Sequence, residues 1–90
     1  MTYKDAIEVF GKEHQLIVAV EELSELQKEI TKVIRHQENI EHLTEEIADV
    51  YIVLEQLELI ASIDKAKINK YYNQKIERLK KTIERGKVLK

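Results

Sequence analysis

Two short acidic segments contain the residues of this chain that are best suited to chemistry. Glu22 and Glu25 lie three residues apart, and Glu46 and Asp49 repeat that spacing further along the chain. On a helix, residues three apart lie on one face, with Cβ atoms about 5–6 Å apart. Because like charges at that distance repel, the repeated pattern favours a shared cation.

Four carboxylates from two facing helices would form a site of hard oxygen ligands. Mg²⁺ and Mn²⁺ suit such ligands, and Mg²⁺ commonly shares its coordination with substrate phosphates. A metal held in this way can bind a polyphosphate and activate a water for attack on phosphorus. Charge-rich helices also contain Glu-x-x-Glu by chance, so either pair alone predicts no more than a solvated acidic face.

A di-iron carboxylate bundle is a different kind of metal site, and it requires Glu-x-x-His motifs. None of the three histidines, His14, His36 and His42, has a glutamate three residues before it. The sequence therefore argues against this class.

Amphipathic helices are the elements that would position the acidic pairs. The 90-residue chain has no proline and only two glycines, and it is rich in helix-forming residues. This composition predicts a single all-α domain over residues 1–90. We predict a short helix at 3–11 and long helices at 14–36, 40–62 and 65–85, the last ending at Gly86.

The apolar stripes of the two middle helices are predicted to face the core, with the acidic pairs at their edges. A short turn within 35–42, with Asn39 as N-cap, predicts an antiparallel helical hairpin. If the turn is centred near residue 37, Glu25 and Asp49 lie at the same height. The stripe residues are Leu16, Val20, Leu23, Leu26, Ile30, Val33 and Ile34 in the first helix, and Leu43, Ile47, Val50, Leu54, Leu57 and Ala61 in the second.

The composition also excludes several classes of function. The net charge is −2, so no basic field indicates nucleic acid as a partner. There is no cysteine for disulfides or thiol chemistry, and no apolar run approaches the roughly 20 residues of a membrane span. The first residues lack an apolar signal core, which favours a cytoplasmic protein. A domain of this size buries only about two-thirds of its unfolded surface, so forming a homo-oligomer would stabilise it.

The acidic motifs, Glu21-Glu22-x-x-Glu25 and Glu46-x-x-Asp49, resemble the signature of the MazG-like all-α nucleotide pyrophosphohydrolases. The residues around them also fit, and the resemblance covers about residues 14–85. It implies an α-helical bundle built from homodimers or homotetramers. It also implies Mg²⁺-dependent cleavage of a nucleoside triphosphate between the α- and β-phosphates, giving a monophosphate and pyrophosphate.

The resemblance also implies roles for single residues. The metal ligands would be Glu22, Glu25, Glu46 and Asp49. Glu21 matches the leading Glu of the motif, but on a helix it points about 100° away from Glu22. An indirect or structural role therefore fits Glu21 equally well.

The expected phosphate and base contacts match less closely. Many relatives carry a Lys on the helix after the second motif, with an Asn one turn later, and both residues contact phosphate. Lys75 is the candidate here, but Leu79 occupies the second position, and Arg78 is the alternative basic residue. Gln15 is a candidate for reading a base edge.

We therefore expect a cytoplasmic, Mg²⁺-dependent nucleotide pyrophosphohydrolase that clears unwanted nucleotides. The alternative is a non-catalytic helical domain that oligomerises or docks a partner. That alternative explains the amphipathic helices equally well but leaves the matched acidic pairs unexplained. A third hypothesis is that the protein binds nucleotides without hydrolysing them.

Overall fold

Four α-helices make up the fold in the computed structural model, which describes residues 2–89. The predicted all-α class is confirmed, and no strand is present in the described part of the chain. The last helix continues through Gly86, because one glycine lowers helix propensity by only about 1 kcal/mol. The helices are α1 (Tyr3–Phe10), α2 (Lys12–Ile34), α3 (Ile40–Ile60) and α4 (Lys65–Leu89).

Side-chain hydrogen bonds and turn residues set the helix ends. Thr2 and Asp5 form a reciprocal capping box at the start of α1. Asn39 caps α3 as predicted, since its Oδ1 accepts from the backbone N–H of His42 at 3.2 Å. His36 and Ser62 follow α2 and α3 with φ values of 58° and 53°. This left-handed backbone stops each helix and redirects the chain.

The most extensive packing among the described helices is between α2 and α3. The paired positions run in opposite directions along the two helices. Gln15, near the start of α2, bonds Gln56, near the end of α3, whereas Glu22 lies beside Glu46. α1 contacts both helices, but α4 does not pack along any of the other three.

Apart from Val50, the buried residues of the seam between α2 and α3 lie outside the predicted stripes. The stripe predicted to be buried in α2 is mostly exposed, by 38% at Leu16 and by as much as 71% at Ile34. The helices meet along a line rotated by roughly one residue step, about 100°, from the centre of that stripe. The expectation that the α2 stripe faces the core of a single chain is therefore wrong. The α3 stripe is divided, because Val50 is buried whereas Ile47 and Leu54 are exposed. The buried residues are Gln15, Ala19 and Glu29 in α2, and Val50, Val53 and Gln56 in α3.

The chain is extended for its length. Its radius of gyration is 16.9 Å, whereas about 12 Å is typical of a compact domain of 90 residues. The difference reflects α4, which projects away from the packed pair. Among residues 2–89, no helix is both long and apolar enough to cross a membrane.

Candidate metal centre

Three carboxylates converge where α2 packs on α3. One oxygen atom from each of Glu22, Glu46 and Asp49 lies within 4.8 Å of the other two. All three side chains are half-buried. Glu46 and Asp49 come from one turn of α3, and Glu22 comes from α2. The packing of the two helices therefore assembles a site that neither helix contains alone.

The position of Glu22 follows from the face that α2 presents to α3. This face repeats at intervals of three or four residues, and the buried residues Gln15, Ala19 and Glu29 share it. On α3, Glu46 lies on the same face as the buried residues Val50 and Val53. Each carboxylate is therefore directed into the seam by the residues that pack above and below it.

Electrostatics disfavours three ionised carboxylates at this distance. Partial burial raises the pKa of Glu22 above its ordinary value of 4.5, and the charges of Asp49 and Glu46 raise it further. The ion pairs formed within residues 2–89 involve Glu29, Glu58 and Glu77, so no basic side chain in that range neutralises the cluster.

The buried oxygen of Glu46 is the clearest sign that the cluster suits a cation. Its Oε2 atom is buried and has no hydrogen-bond partner. A buried carboxylate oxygen without a partner costs free energy, and a cation among the three side chains would remove that cost. Carboxylate oxygens are the ligands that Mg²⁺ prefers, and three of them leave coordination positions for water or phosphate. The residues present therefore fit a divalent cation.

The other predicted acidic residues lie outside the cluster. Glu25 is exposed on α2, and its predicted position opposite Asp49 is taken by Glu22. The observed pairing of α2 with α3 is thus shifted by about one helical turn from the pairing that a connection centred at residue 37 predicts. Glu21 is also exposed on α2.

The predicted substrate-binding residues are separate from the cluster. Gln15 is buried, its Nε2 donates to Gln56 Oε1 at 2.7 Å, and its Oε1 accepts from His14 Nδ1 at 2.9 Å. Lys75 and Arg78 are exposed on α4, which is not packed beside the centre.

Sequence reasoning missed two buried polar residues of the seam, Gln56 and Glu29. Glu29 Oε1 accepts from Lys32 Nζ at 3.0 Å, and its Oε2 is buried without a partner. A signal for both was present in the sequence. Polar residues recur every seven positions as Gln15, Glu22 and Glu29 in α2, and as Asp49 and Gln56 in α3.

A cleft of about 350 Å³ lies near the C-terminal end of α3, away from the carboxylate cluster. Glu58 and Lys65 form a 3.6 Å ion pair in its wall. The Glu55 carboxylate, with smaller contributions from desolvation and a hydrogen bond, raises the pKa of the Tyr3 hydroxyl. None of the predicted site residues lines the cleft, and two of its charged groups already form an ion pair with each other.

Comparison with known proteins gave no match to a family model, a curated protein or a solved structure. The geometry of the carboxylate cluster and its sequence motifs are therefore the features that indicate a function.

Proposed function

We propose that this protein is a Mg²⁺-dependent nucleoside triphosphate pyrophosphohydrolase. It would cleave between the α- and β-phosphates and release a nucleoside monophosphate and pyrophosphate. The observation that carries the proposal is the convergence of Glu22, Glu46 and Asp49, with Glu46 Oε2 buried and unpaired. The motif resemblance supplies the reaction type.

In this proposal Glu22, Glu46 and Asp49 hold Mg²⁺ or Mn²⁺. Such an ion, when bound, supplies positive charge to a polyphosphate and acidifies a coordinated water. Glu25 lies one turn from Glu22 on the exposed side of α2 and would join the ligands through a change of side-chain rotamer. Glu21 lies next to Glu22 and would act, if at all, by orienting it.

The remaining groups would bind substrate. Lys75 or Arg78 would neutralise charge on the leaving pyrophosphate. Gln15 would have to break its hydrogen bond to Gln56 in order to contact a base edge. It is therefore the weakest of the three candidates for binding substrate. The α2–α3 pair would serve as an antiparallel hairpin that a homodimer or homotetramer completes into the catalytic bundle. Clearance of nucleotides in the cytoplasm would be its purpose.

The test is pyrophosphate release from a panel of nucleoside triphosphates, with Mg²⁺ and then with EDTA. We expect release that requires Mg²⁺ and is lost in Glu46→Gln. Glu45→Gln is the matched control, because it removes the same charge at the neighbouring, exposed position. Release that persists in EDTA, or that Glu46→Gln leaves unchanged, would contradict the proposed site. Absence of release from every triphosphate, by folded protein, would contradict the proposed activity.

A non-catalytic role as an oligomerisation or docking domain is the second candidate. The specific observation in its favour is the large apolar surface that the single chain leaves exposed. The two candidates differ in what Glu22→Ala and Glu46→Ala should do. A docking domain should become no less stable and show no response to Mg²⁺, whereas the enzyme should lose both Mg²⁺ binding and turnover.

A further inference from the structure

The net charge of −2, which by itself indicates no nucleic-acid partner, averages over two regions of opposite charge. Residues 2–64 contain fifteen acidic and five basic residues, a net charge of −10, whereas residues 65–89 contain nine basic and two acidic residues, a net charge of +7. The basic region is α4, which does not pack along any of the other three helices. Because salt screens charges more than about 8 Å apart, the field around most of this projecting helix is its own. A polyanion would therefore meet α4 as a basic surface.

Basic residues of α4 line the side of the helix opposite to its apolar residues. At about 100° per residue, Gln74 lies near the centre of an arc of roughly 60° that contains four of them. Tyr72, Leu79 and Ile83 lie on the other side, about 140–180° from Gln74. A ligand can therefore bind the basic side without covering the apolar one. We call the four residues the basic stripe: Lys67, Lys70, Lys81 and Arg85.

The side chains of the basic stripe are exposed to solvent. In the described part of α4, the ion pairs are formed by Lys65 and Lys80 instead, with Glu58 and Glu77. The stripe extends over about 27 Å of the helix, from residue 67 to residue 85. Phosphates of one strand follow one another at about 3.4 Å in a stacked nucleic-acid helix. The stripe is therefore long enough to contact several successive phosphates.

Tyr71 lies at the edge of the basic stripe, one turn after Lys67, and it is 57% exposed. An aromatic ring beside a row of positive charges is the arrangement on which unpaired bases stack, because every base has a π-face. The bases of a duplex are already stacked on each other. The ring therefore favours a single strand over a duplex.

An anionic membrane is another partner that a basic amphipathic helix can bind. A helix in a bilayer surface buries its apolar side, and its basic residues reach the headgroups when they flank that side. In α4 a membrane that took up Leu79 and Ile83 would leave the basic stripe facing water. A nucleic-acid strand on the basic stripe instead leaves the apolar side available for packing against protein. The arrangement of charge thus favours nucleic acid.

We propose that α4 binds single-stranded nucleic acid, with the basic stripe on successive phosphates and Tyr71 stacked on a base. Phosphates and bases are common to DNA and RNA, so both kinds of strand belong to this class of ligand. The proposal does not depend on the proposed hydrolysis, because it uses none of the carboxylates and needs no metal.

The test is fluorescence anisotropy of 20-nucleotide oligothymidylate and oligouridylate, each with a 3′ dye and a 5′ hydroxyl, titrated with the full chain. The titration is done in EDTA without nucleoside triphosphates, so failure of the proposed activity cannot affect it. We expect both strands to bind. The dissociation constant should rise about 50-fold between 50 and 200 mM salt, because four phosphate contacts to a single strand give a log–log slope of about 2.8.

The double variant Lys67→Gln with Arg85→Gln removes two of the four contacts. The rise between 50 and 200 mM salt should then fall to about 7-fold, and the dissociation constant at 50 mM should increase about 10-fold or more. The matched control is Lys65→Gln with Lys80→Gln, which removes two charges from the same helix at ion-paired positions. Both lie at least 120° around the helix from Gln74, so this variant should keep the salt dependence of the wild type.

Tyr71→Ala tests the stacking contact. It should raise the dissociation constant for a single strand about 5-fold or more, whereas Tyr71→Phe keeps the ring and should keep the affinity. Circular dichroism of each variant shows whether its helices remain, so loss of binding can be separated from loss of folding. Lys75 and Arg78 stay unchanged throughout, because the proposed function uses them.

Four results would overturn the proposal. The first is an unchanged anisotropy of both strands at 50 mM salt. The second is equal weakening by the two double variants, which would show that the basic stripe is not the contact. The third is a 20-base-pair duplex that binds at least as tightly as the single strands, with no effect of Tyr71→Ala. The fourth is binding to vesicles of phosphatidylcholine with 30% phosphatidylglycerol but to neither strand, which would assign α4 to a membrane surface.

Discussion

Replacing Glu46 with glutamine removes one charge from the carboxylate cluster and keeps the shape of the side chain. Two unit charges 4.8 Å apart interact by about 3.5 kcal/mol at an effective dielectric constant of 20, and by about 0.9 kcal/mol at 80. The side chains are half-buried, and Glu22 retains its proton more readily than an ordinary glutamate. We therefore expect the lower part of that range. Without metal, Glu46→Gln should raise the free energy of unfolding by about 1–2 kcal/mol.

Mg²⁺ should stabilise the wild type more than Glu46→Gln and so narrow the difference in the free energy of unfolding between the two proteins. At a Mg²⁺ concentration ten times its dissociation constant, the wild type gains about 1.4 kcal/mol. For a domain of this size that gain raises Tm by roughly 6–11 °C. The variant lacks one of three ligands and gains less at the same concentration. The relief of repulsion and the loss of metal binding thus change the stability of Glu46→Gln relative to the wild type in opposite directions. A single Mg²⁺ titration separates the two effects.

The assay is thermal and urea unfolding followed by circular dichroism, at one chain concentration, in EDTA and across a Mg²⁺ series. Glu45→Gln, which loses the same charge outside the cluster, should follow the wild type in both conditions. Lower stability of Glu46→Gln than of the wild type in EDTA would contradict this prediction. Equal stabilisation of all three proteins by Mg²⁺ would also contradict it.

Three further predictions concern the seam. The raised pKa of Glu22 means that the folded state holds this proton more tightly than the unfolded state, so metal-free stability should fall as pH rises from about 4.5 through the raised pKa. Urea unfolding between pH 4 and 8 should show this slope, and its persistence in Glu22→Gln would contradict the assignment. Gln15→Ala removes the donor to buried Gln56 and should cost about 1–3 kcal/mol in urea unfolding, whereas leucine at both positions should be nearly neutral. Lys32→Met leaves the buried Glu29 carboxylate without its cation and should lower the free energy of unfolding by about 1–3 kcal/mol. Adding Glu29→Gln should restore most of that loss. Equal losses in the single and double variants would contradict this prediction.

Local signals in the sequence predicted the helices and three members of the cluster. The absence of proline, the periodic apolar residues and the Asn39 cap depend on nearby residues alone, and they lead to α2, α3 and the short turn between them. The offset between the helices depends on how His36 and its neighbours close the turn. A count of residues does not encode that geometry, so the count pairs Asp49 with Glu25, whereas the structure pairs it with Glu22.

The buried face of α2 differs from its predicted stripe for a different physical reason. Hydrophobic periodicity finds the face with the most apolar area, and in α2 that face passes through Leu23 and Ile30, which remain 40% and 46% exposed. The single chain instead buries the neighbouring face, which carries Gln15, Glu22 and Glu29. A helix that buries its polar face and exposes its apolar one gains little unless another surface covers the apolar side. The periodicity therefore identifies the most apolar face of α2, whereas the polar positions at seven-residue intervals describe the contact within one chain. The burial of carboxylates in this seam is costly, and a cation at Glu22, Glu46 and Asp49 would compensate for it.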